Sequence, residues 1–320
     1  MGVRIIMSEP TNKLINLSEA AKLVKDGSTI CLVGRTGRAN HPMAFVYELA
    51  RQRVKDLTII AVNNGLSIDL LCGAGCVKRV ETSCVGLEEF GLASNFRRAV
   101  ERGEVEVAEY PEDLVIPRFY ATAHGLPFYP VRGVFGTDIL KYNEDIKEGI
   151  SPIDEKPYSA LPPAKPDWVV MHAPIGDTKG NVLFFIGAGY SPVWELEATR
   201  CTRNNIVTVE RIVPHDQISR YIPTQFTRSY LPTIPEFRTR VIVEAPYGSH
   251  PSSLTGVTEA DNEFIGMYAE AGKARLKGDP EPWKNFLDKY VYGCGTHMDY
   301  LELIGAEVLA KLRDVGGDLI

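Results

Sequence analysis

The run LTIIAV, residues 57–62, limits the fold more than any other feature of the chain. Five of its six residues are apolar, so neither face of a strand there can look at water. A strand buried on both faces belongs in a parallel sheet between two layers of helices, whereas an antiparallel sheet with one wet face alternates instead. STICLV (28–33), VVMHAP (169–174), NNIVTVERIV (204–213) and RVIVEAP (240–246) have a related character. VKRVETSCVG (77–86) and VEVAEY (105–110) are further strand candidates.

Helical spacing fills the intervals. LSEAAKLVKDG (17–27) puts Leu17, Ala20, Ala21 and Val24 on one face and closes at Gly27. HPMAFVYELARQRV (41–54) carries Pro42 in its first turn, where a missing N–H costs nothing, and an apolar face of Met43, Val46, Leu49, Ala50 and Val54. SIDLLCGAG (67–75), SNFRRAVERGE (94–104), EDLVIPRFYATAHG (112–125) and SPVWELEATRC (191–201) continue the alternation. GDTKGNVLFF (176–185) reads as a turn into a second apolar run, a hairpin. Strand then helix, repeated, predicts an α/β fold: an open, mostly parallel sheet with helices on both faces.

Two regions break the pattern. Residues 141–167 are polar and hold five prolines, which reads as a long connection or flap and not a core element. Beyond residue 260 the chain becomes a helical tail: DNEFIGMYAEAGKARL, PEPWKNFLDKYVYG and THMDYLELIGAEVLAKL. Its aromatics (Phe264, Tyr268, Trp283, Phe286, Tyr290, Tyr292, Tyr300) fall at a spacing usual for core, but so many helices on one sheet face also suit a partner surface. The expected division is an extension at 1–16 and one domain over 17–320.

Composition excludes several functions. Net charge is −6, and no Lys/Arg block supplies a footprint for nucleic acid. No apolar stretch reaches the roughly 20 residues of a membrane span. The opening MGVRIIMSEPTNKL offers two starts, Met1 and Met7, and no signal-peptide core, so a cytoplasmic protein is expected. Six scattered cysteines without a Cys-x-x-Cys pair read as reduced thiols. The six histidines form no metal-binding pair, so no metal is expected.

In parallel sheets ligands sit beyond the carboxyl ends of strands. That directs the search to residues 34–41, 63–67, 84–91, 109–113 and 133–137. The first turn lies in CLVGRTGRANHPM (31–43). It is no P-loop, because no Gly-Lys-Ser/Thr follows, and no dinucleotide fingerprint, because Gly34 and Gly37 are three apart and position 39 is Ala. What remains is a glycine turn bearing Arg35, Thr36 and Arg38. Its N–H groups suit an oxyanion and its arginines a carboxylate; a tight turn with solvated arginines fits equally.

Asn63, Asn64 and Gly65 form the second turn and Cys84 opens the third. The asparagines also suit a plain turn. In AEYPEDL (108–114) capping a helix is the expected role of Asp113 or Glu112, whereas Glu109, ahead of the proline, is less easily explained in that way. LPFYPVRGVFGTD (126–138) contributes Arg132, Gly133, Gly136 and Thr137. EAPYGSHPSS (244–253) has His250 and three serines but no Gly-x-Ser-x-Gly elbow, so a serine hydrolase is set aside.

Taken in order, these segments resemble the alpha subunits of class I CoA-transferases. ICLVGRTGRANHPMAFVYEL is similar to their strand–glycine turn–proline–helix opening, although Gly34-Arg35-Thr36 stands where the family has Gly-Gly-Phe or Gly-Gly-Trp. LCGAGCVKRVETSCVG, LPFYPVRGVFGTD, DTKGNVLFF, VTVERIV and EAPYGSHPSS extend the likeness over about residues 17–310. EAPYGSHPS and the tail with DNEFIGMY look most like the glutaconate branch.

The resemblance implies a CoA-transferase-like fold, coenzyme A as a substrate with no tightly bound cofactor, and a beta-subunit partner. It also implies that the nucleophilic glutamate sits on that partner, so this chain alone would be inactive. The carboxylate would attack an acyl-CoA thioester to give an anhydride and then an enzyme–CoA thioester, with the glycine turns supplying oxyanion donors. Gly34, Arg35, Thr36, Gly37, Arg38, Asn63, Asn64, Gly65, Cys84, Arg132, Gly133, Gly136 and Thr137 would then line the substrate. The arginines suggest an acyl group with a second carboxylate, and the isolated chain is expected to expose an aromatic patch.

A steroid-ring-cleaving CoA hydrolase has similar alpha subunits, sharing Pro42–Val46, Val209–Val213 and Arg132. There the beta glutamate is absent and a glutamate of the alpha chain works as acid and base, which points to Glu109, with a pKa raised by burial. Decarboxylases of glutaconyl-type CoA esters are built alike. A non-catalytic ligand-binding module is the alternative of another class, and no basic helix-turn-helix supports it.

Overall fold

The computed structural model describes residues 12–184, 193–221 and 234–313. Seven strands form the main path of one parallel sheet. On one side of it run β1 (Thr29–Leu32), β2 (Leu57–Ile60), then, past the short β3 (Asn63–Asn64), β4 (Val77–Thr82), and, past the short β5 (Cys84–Val85), β6 (Glu106–Glu109). Three antiparallel strands follow: β7 (Tyr129–Val131), β8 (Lys147–Ile150) and β9 (Pro157–Leu161). The chain then returns to the main sheet with β10 (Trp168–Asp177), its antiparallel neighbour β11 (Val182–Leu183), β12 (Asn205–Val213) and β13 (Thr239–Glu244). The spatial order is β13-β12-β10-β1-β2-β4-β6.

The helices are α1 (Leu17–Ala21), α2 (Met43–Arg51), α3 (Leu66–Gly73), α4 (Ser94–Glu101), α5 (Glu112–Ala123) and α6 (Ile139–Tyr142). After them come α7 (Val193–Arg200), α8 (Asn262–Leu276), α9 (Glu281–Leu287), α10 (His297–Ile304) and α11 (Ala306–Arg313).

The apolar runs behave as their pattern requires. β1 sends Ile30 and Leu32 into one apolar cluster and Cys31 into the other; β2 divides Leu57 and Ile59 from Ile60 in the same way. Side chains of a strand alternate between faces, so a run apolar throughout must be covered twice. α2, α3, α4 and α8 cover the first face, while α5 and α7 cover the second. The predicted hairpin is present, with Ile175 opposite Leu183. The final phenylalanine of its apolar run lies outside the described residues, as does the start of the helix expected from 191.

The Pro-rich segment, read from the sequence as a long connection or flap, carries regular structure of its own. It contributes two of the three antiparallel strands, with order β7-β9-β8. The prolines do not prevent this, because Pro157 is the first residue of β9 and Pro130 lies in an edge strand, where no ladder N–H is needed. Leu161 and Ala164 fix its end in the second cluster.

The tail is core. Phe264, Tyr268, Trp283, Phe286 and Tyr300 are all buried and pack edge-on and stacked against one another. The partner surface suggested by their number is therefore not made by these rings. The Asp69 carboxylate on α3 accepts from the Tyr268 hydroxyl, from Asn95 Nδ2 at 2.9 Å and from the Phe96 amide at 2.8 Å, which ties α8 and α4 to the first layer.

This topology sets where a ligand crevice is expected. From β1 the strands proceed outward to β6 on one side, and from β10 to β13 on the other. The sequence therefore reverses direction between β1 and β10, and a crevice opens outside the carboxyl ends at such a switch point. The turn from Gly34 to His41 leaves β1 at that place.

Candidate functional site

The ladder runs on through Val33, whose amide donates to Val170 O at 2.9 Å. The chain then closes a small loop: Arg35 and Ala39 exchange two hydrogen bonds, at 2.6 and 3.0 Å. Thr36 and Asn40 take left-handed backbone angles, φ 54° and 56°. Asn adopts that region readily, but a β-branched Thr does so only where its surroundings hold it.

His41 is part of what holds it. Its Nε2 lies 3.2 Å from the Thr36 carbonyl oxygen and its Nδ1 lies 2.8 Å from Ser67 Oγ. A carbonyl can only accept, so Nε2 carries the proton and Nδ1 accepts from the serine. Complete burial pushes the imidazole pKa down to about 4, against which the Thr36 bond is a smaller effect, so His41 is neutral near pH 7. Gly34 is required above it, because a Cβ there would overlap the His41 ring.

Three turns meet at their glycines. β3 pairs with β5 in parallel, Asn63 opposite Cys84 and Asn64 opposite Val85. The Gly86 amide donates to Asn64 O at 3.3 Å and the Leu66 amide to Gly37 O at 3.2 Å. A Cβ on either Gly37 or Gly65 would overlap the Gly86 carbonyl oxygen. The glycines thus serve backbone-to-backbone packing. The turns of Gly34 to Arg38, Asn63 to Gly65 and Cys84 are therefore adjacent. Cys84 is exposed.

Much of the first turn's donor capacity is already engaged. The Arg35, Gly37, Ala39, Asn40 and His41 amides donate to Ala39 O, Glu88 Oε1, Arg35 O, Ser253 O and Ser252 Oγ. Glu88, inside the 84–91 turn but not singled out there, receives Gly37 N at 2.9 Å and lies 3.5 Å from Arg38. Burial would raise its carboxyl pKa, but hydrogen bonds from Thr36 and Gly37 and the Arg38 charge outweigh that and hold it below the usual range. Arg38 also pairs with Glu89 at 2.9 Å, and Arg35 approaches Glu195 at 4.0 Å. A substrate carboxylate at these arginines would compete with protein carboxylates.

The loop 246–255 matters through its serines and not through the histidine that draws the eye in the sequence. His250 is buried between the Tyr300 hydroxyl at 2.6 Å and Asp261 at 3.2 Å. The serines carry the first turn: Asn40 N donates to Ser253 O at 2.7 Å and Ser253 N to Arg38 O at 3.0 Å. Nothing in the linear sequence links positions as far apart as these.

The remaining candidates form a second group. Glu109 ends β6 opposite Thr82, with its carboxylate exposed and its carbonyl accepting Asn143 Nδ2 at 2.7 Å. The burial expected of a general base there is not seen in this chain alone. Gly133 faces Asp113 at the start of α5. Gly136 has φ 83°, and the Thr137 hydroxyl donates to Val134 O at 2.8 Å. Arg132 donates to both oxygens of Asp154, at 2.8 and 2.6 Å. It lies apart from the glycine turns, on the rim of a groove of about 440 Å³ walled by Phe128, Val131, Ile153 and Tyr158. The β4–β6 pairing places the two groups at neighbouring strand ends. Among the described residues, no three His, Cys, Asp or Glu side chains are placed to hold a metal, and no helix is long and apolar enough to cross a membrane.

Comparison with known proteins follows the same outline. Residues 14–222 match the Coenzyme A transferase family. An uncharacterized protein of Archaeoglobus fulgidus is 34% identical over 96% of this chain, which spans 66% of that relative's length. A named subunit of the 3-oxoadipate CoA-transferase of Pseudomonas knackmussii is 34% identical over 90% of this chain and 96% of its own. The cholesterol ring-cleaving hydrolase IpdA subunit of Rhodococcus jostii is 28% identical over 92% and 96%. Among solved structures, glutaconate coenzyme A-transferase from Acidaminococcus fermentans superposes with a TM-score of 0.85 at 27% identity, covering 95% of this chain and 96% of that one.

Proposed function

The chain belongs to the Coenzyme A transferase family, and we propose that within it this protein is the alpha-type subunit of a heteromeric enzyme moving coenzyme A between carboxylic acids, one of them dicarboxylic. The observation that carries this reading is the likeness to glutaconate coenzyme A-transferase along nearly the whole of both chains. The relative from Pseudomonas knackmussii is named as one subunit of its enzyme, which supports a companion chain.

In this reading the nucleophilic glutamate comes from the companion chain. It attacks the thioester carbonyl and expels coenzyme A as thiolate, leaving an acyl–glutamyl anhydride. The thiolate then attacks the glutamyl carbonyl, releasing the acyl group as a carboxylate and leaving an enzyme thioester. This chain's part is to wall the acyl group. Gly37 and Gly65 are packed against the Gly86 carbonyl, and of the three only Gly86 has open space on its Cβ side, with Cys84 Sγ 3.9 Å away, for an acyl chain to approach. Coenzyme A enters as a substrate, and no resident cofactor is required by these steps.

A second reading has its own support. The Rhodococcus jostii relative is named a ring-cleaving hydrolase, and Glu109 presents an exposed carboxylate at the end of β6. There Glu109 would be the acid/base group, gaining its burial from the companion chain.

The dicarboxylic preference rests on the arginines, of which Arg132 is the most exposed and would take a substrate carboxylate in place of Asp154. Arg132→Ala is expected to raise KM for glutaryl-CoA about tenfold while leaving KM for butyryl-CoA within twofold. Equal effects on the two thioesters would remove Arg132 from substrate recognition.

A further inference from the structure

Glu210 is 4% exposed, lies in the middle of β12 and touches none of the candidate turns. Yet its carboxylate grips the loop on which the first turn is laid. Oε1 accepts from the Gly248 amide at 3.1 Å and lies 2.9 Å from His172 Nε2. Oε2 accepts from the Tyr247 amide at 2.9 Å and from Arg313 Nη2, at the end of α11, at 2.9 Å. The Arg313 guanidinium also covers the Tyr247 ring, 4.4 Å from its centroid. His172 is held from its other side by Thr208 Oγ1 at 2.7 Å. A Cβ at position 248 would overlap the His172 ring, so only glycine fits between ring and carboxylate. Burial opposes charge on Glu210, but the His172 bond, the Tyr247 amide and the Arg313 charge outweigh it and keep the carboxyl ionised.

From Gly248 onward the loop is a template for the turn. Ala44 N donates to Gly248 O at 2.8 Å, His41 N to Ser252 Oγ at 3.2 Å and Asn40 N to Ser253 O at 2.7 Å. In return Ser253 N donates to Arg38 O at 3.0 Å and Thr255 N to Asn40 Oδ1 at 2.9 Å. The backbone from Arg38 to Ala44 is thereby registered on a segment whose beginning is fixed by one buried carboxylate.

We infer that Glu210 is a positioning residue: clamped by Arg313 of the C-terminal helix, it fixes loop 247–255 and through it the geometry of the glycine turn. The turn's setting then depends on the docking of α11. Charge-assisted bonds from two backbone amides to a buried carboxylate are strong, and removing the cation that compensates them leaves a buried charge unpaired. The structural coupling stands on the hydrogen bonds alone; its effect on turnover rests on the function proposed above.

Hydrogen exchange on the full-length protein, read by peptide, separates the two. In Glu210→Gln, exchange in peptides spanning 38–47 and 246–255 is expected to quicken at least tenfold, with β4 and β6 unchanged. Arg313→Ala should act on the same peptides in the same direction, and Arg313→Lys should restore protection. Unchanged exchange at 38–47 in both variants would overturn the inference. So would an equal acceleration across the whole sheet, which marks ordinary destabilisation. With glutaryl-CoA, kcat of the assembled enzyme should fall more than tenfold in Glu210→Gln while KM stays within twofold. Exchange that responds while kcat does not would support the coupling and count against the turn as a wall of the acyl site.

Discussion

His41 acts at the residue scale through its charge state. Its pKa in the folded chain is about 4, against 6.5 for an unperturbed histidine. Between those values the unfolded chain binds a proton at this position and the folded chain does not. Its stability contribution is therefore whole above pH 6.5 and is lost as pH falls through that value towards about 4, at about 1.4 kcal/mol per pH unit. On passing from pH 7 to 5.5, urea unfolding is expected to show about 1 kcal/mol more loss in the native sequence than in His41→Gln. Equal losses would mean that His41 is not held neutral. The sequence displayed this histidine inside the turn it supports but gave no reason to single it out. Burial was the missing information, and burial of position 41 is decided by Gly34 and Ser67, which only the fold brings together. Gly37 and Gly65 were legible as turn glycines. That both are needed to clear the single carbonyl of Gly86 was not, because that contact joins three strand ends.

The element scale was the most legible. Unbroken apolar strands and 3.6-period helices mark local burial, and β1, β2, α2 and α8 lie where their patterns placed them. Two elements escaped. β3 pairs with β5 through asparagines that locally look like turn formers, and the antiparallel sheet β7-β9-β8 was hidden by prolines that occupy its edge and strand start. The tail aromatics admitted both a core and a surface reading. Trp283 decides between them: it is 2% exposed, stacks on Phe286 and donates its indole N–H to Gly73 O at 3.1 Å, directly onto α3. Trp283→Ala should destabilise the whole protein by about 3–5 kcal/mol. A loss under about 1 kcal/mol in chemical unfolding would show that α8 and α9 are an appendage and not part of the first layer.

At the scale of the whole molecule, pattern established a doubly covered parallel sheet but not its strand order. That order decides which turns meet, since the reversal between β1 and β10 sets the switch point at which the turn from Gly34 leaves the sheet. Order depends on long-range pairing such as Ile30 with Trp168, which no local period encodes. In the function proposed above, which the likeness to glutaconate coenzyme A-transferase supports, the turns form one wall of an acyl site. The rest of the site, in the proposed reading, belongs to a second chain. The most direct test is to purify this chain with its companion, add a panel of acyl-CoA thioesters that includes glutaryl-CoA, and measure the intact masses of both chains. The account predicts a coenzyme A adduct on the companion, none on this chain, and discharge of the adduct by an added carboxylic acid. Turnover without any adduct on the companion, abolished by Glu109→Gln in this chain, would contradict it and establish the hydrolase reading instead.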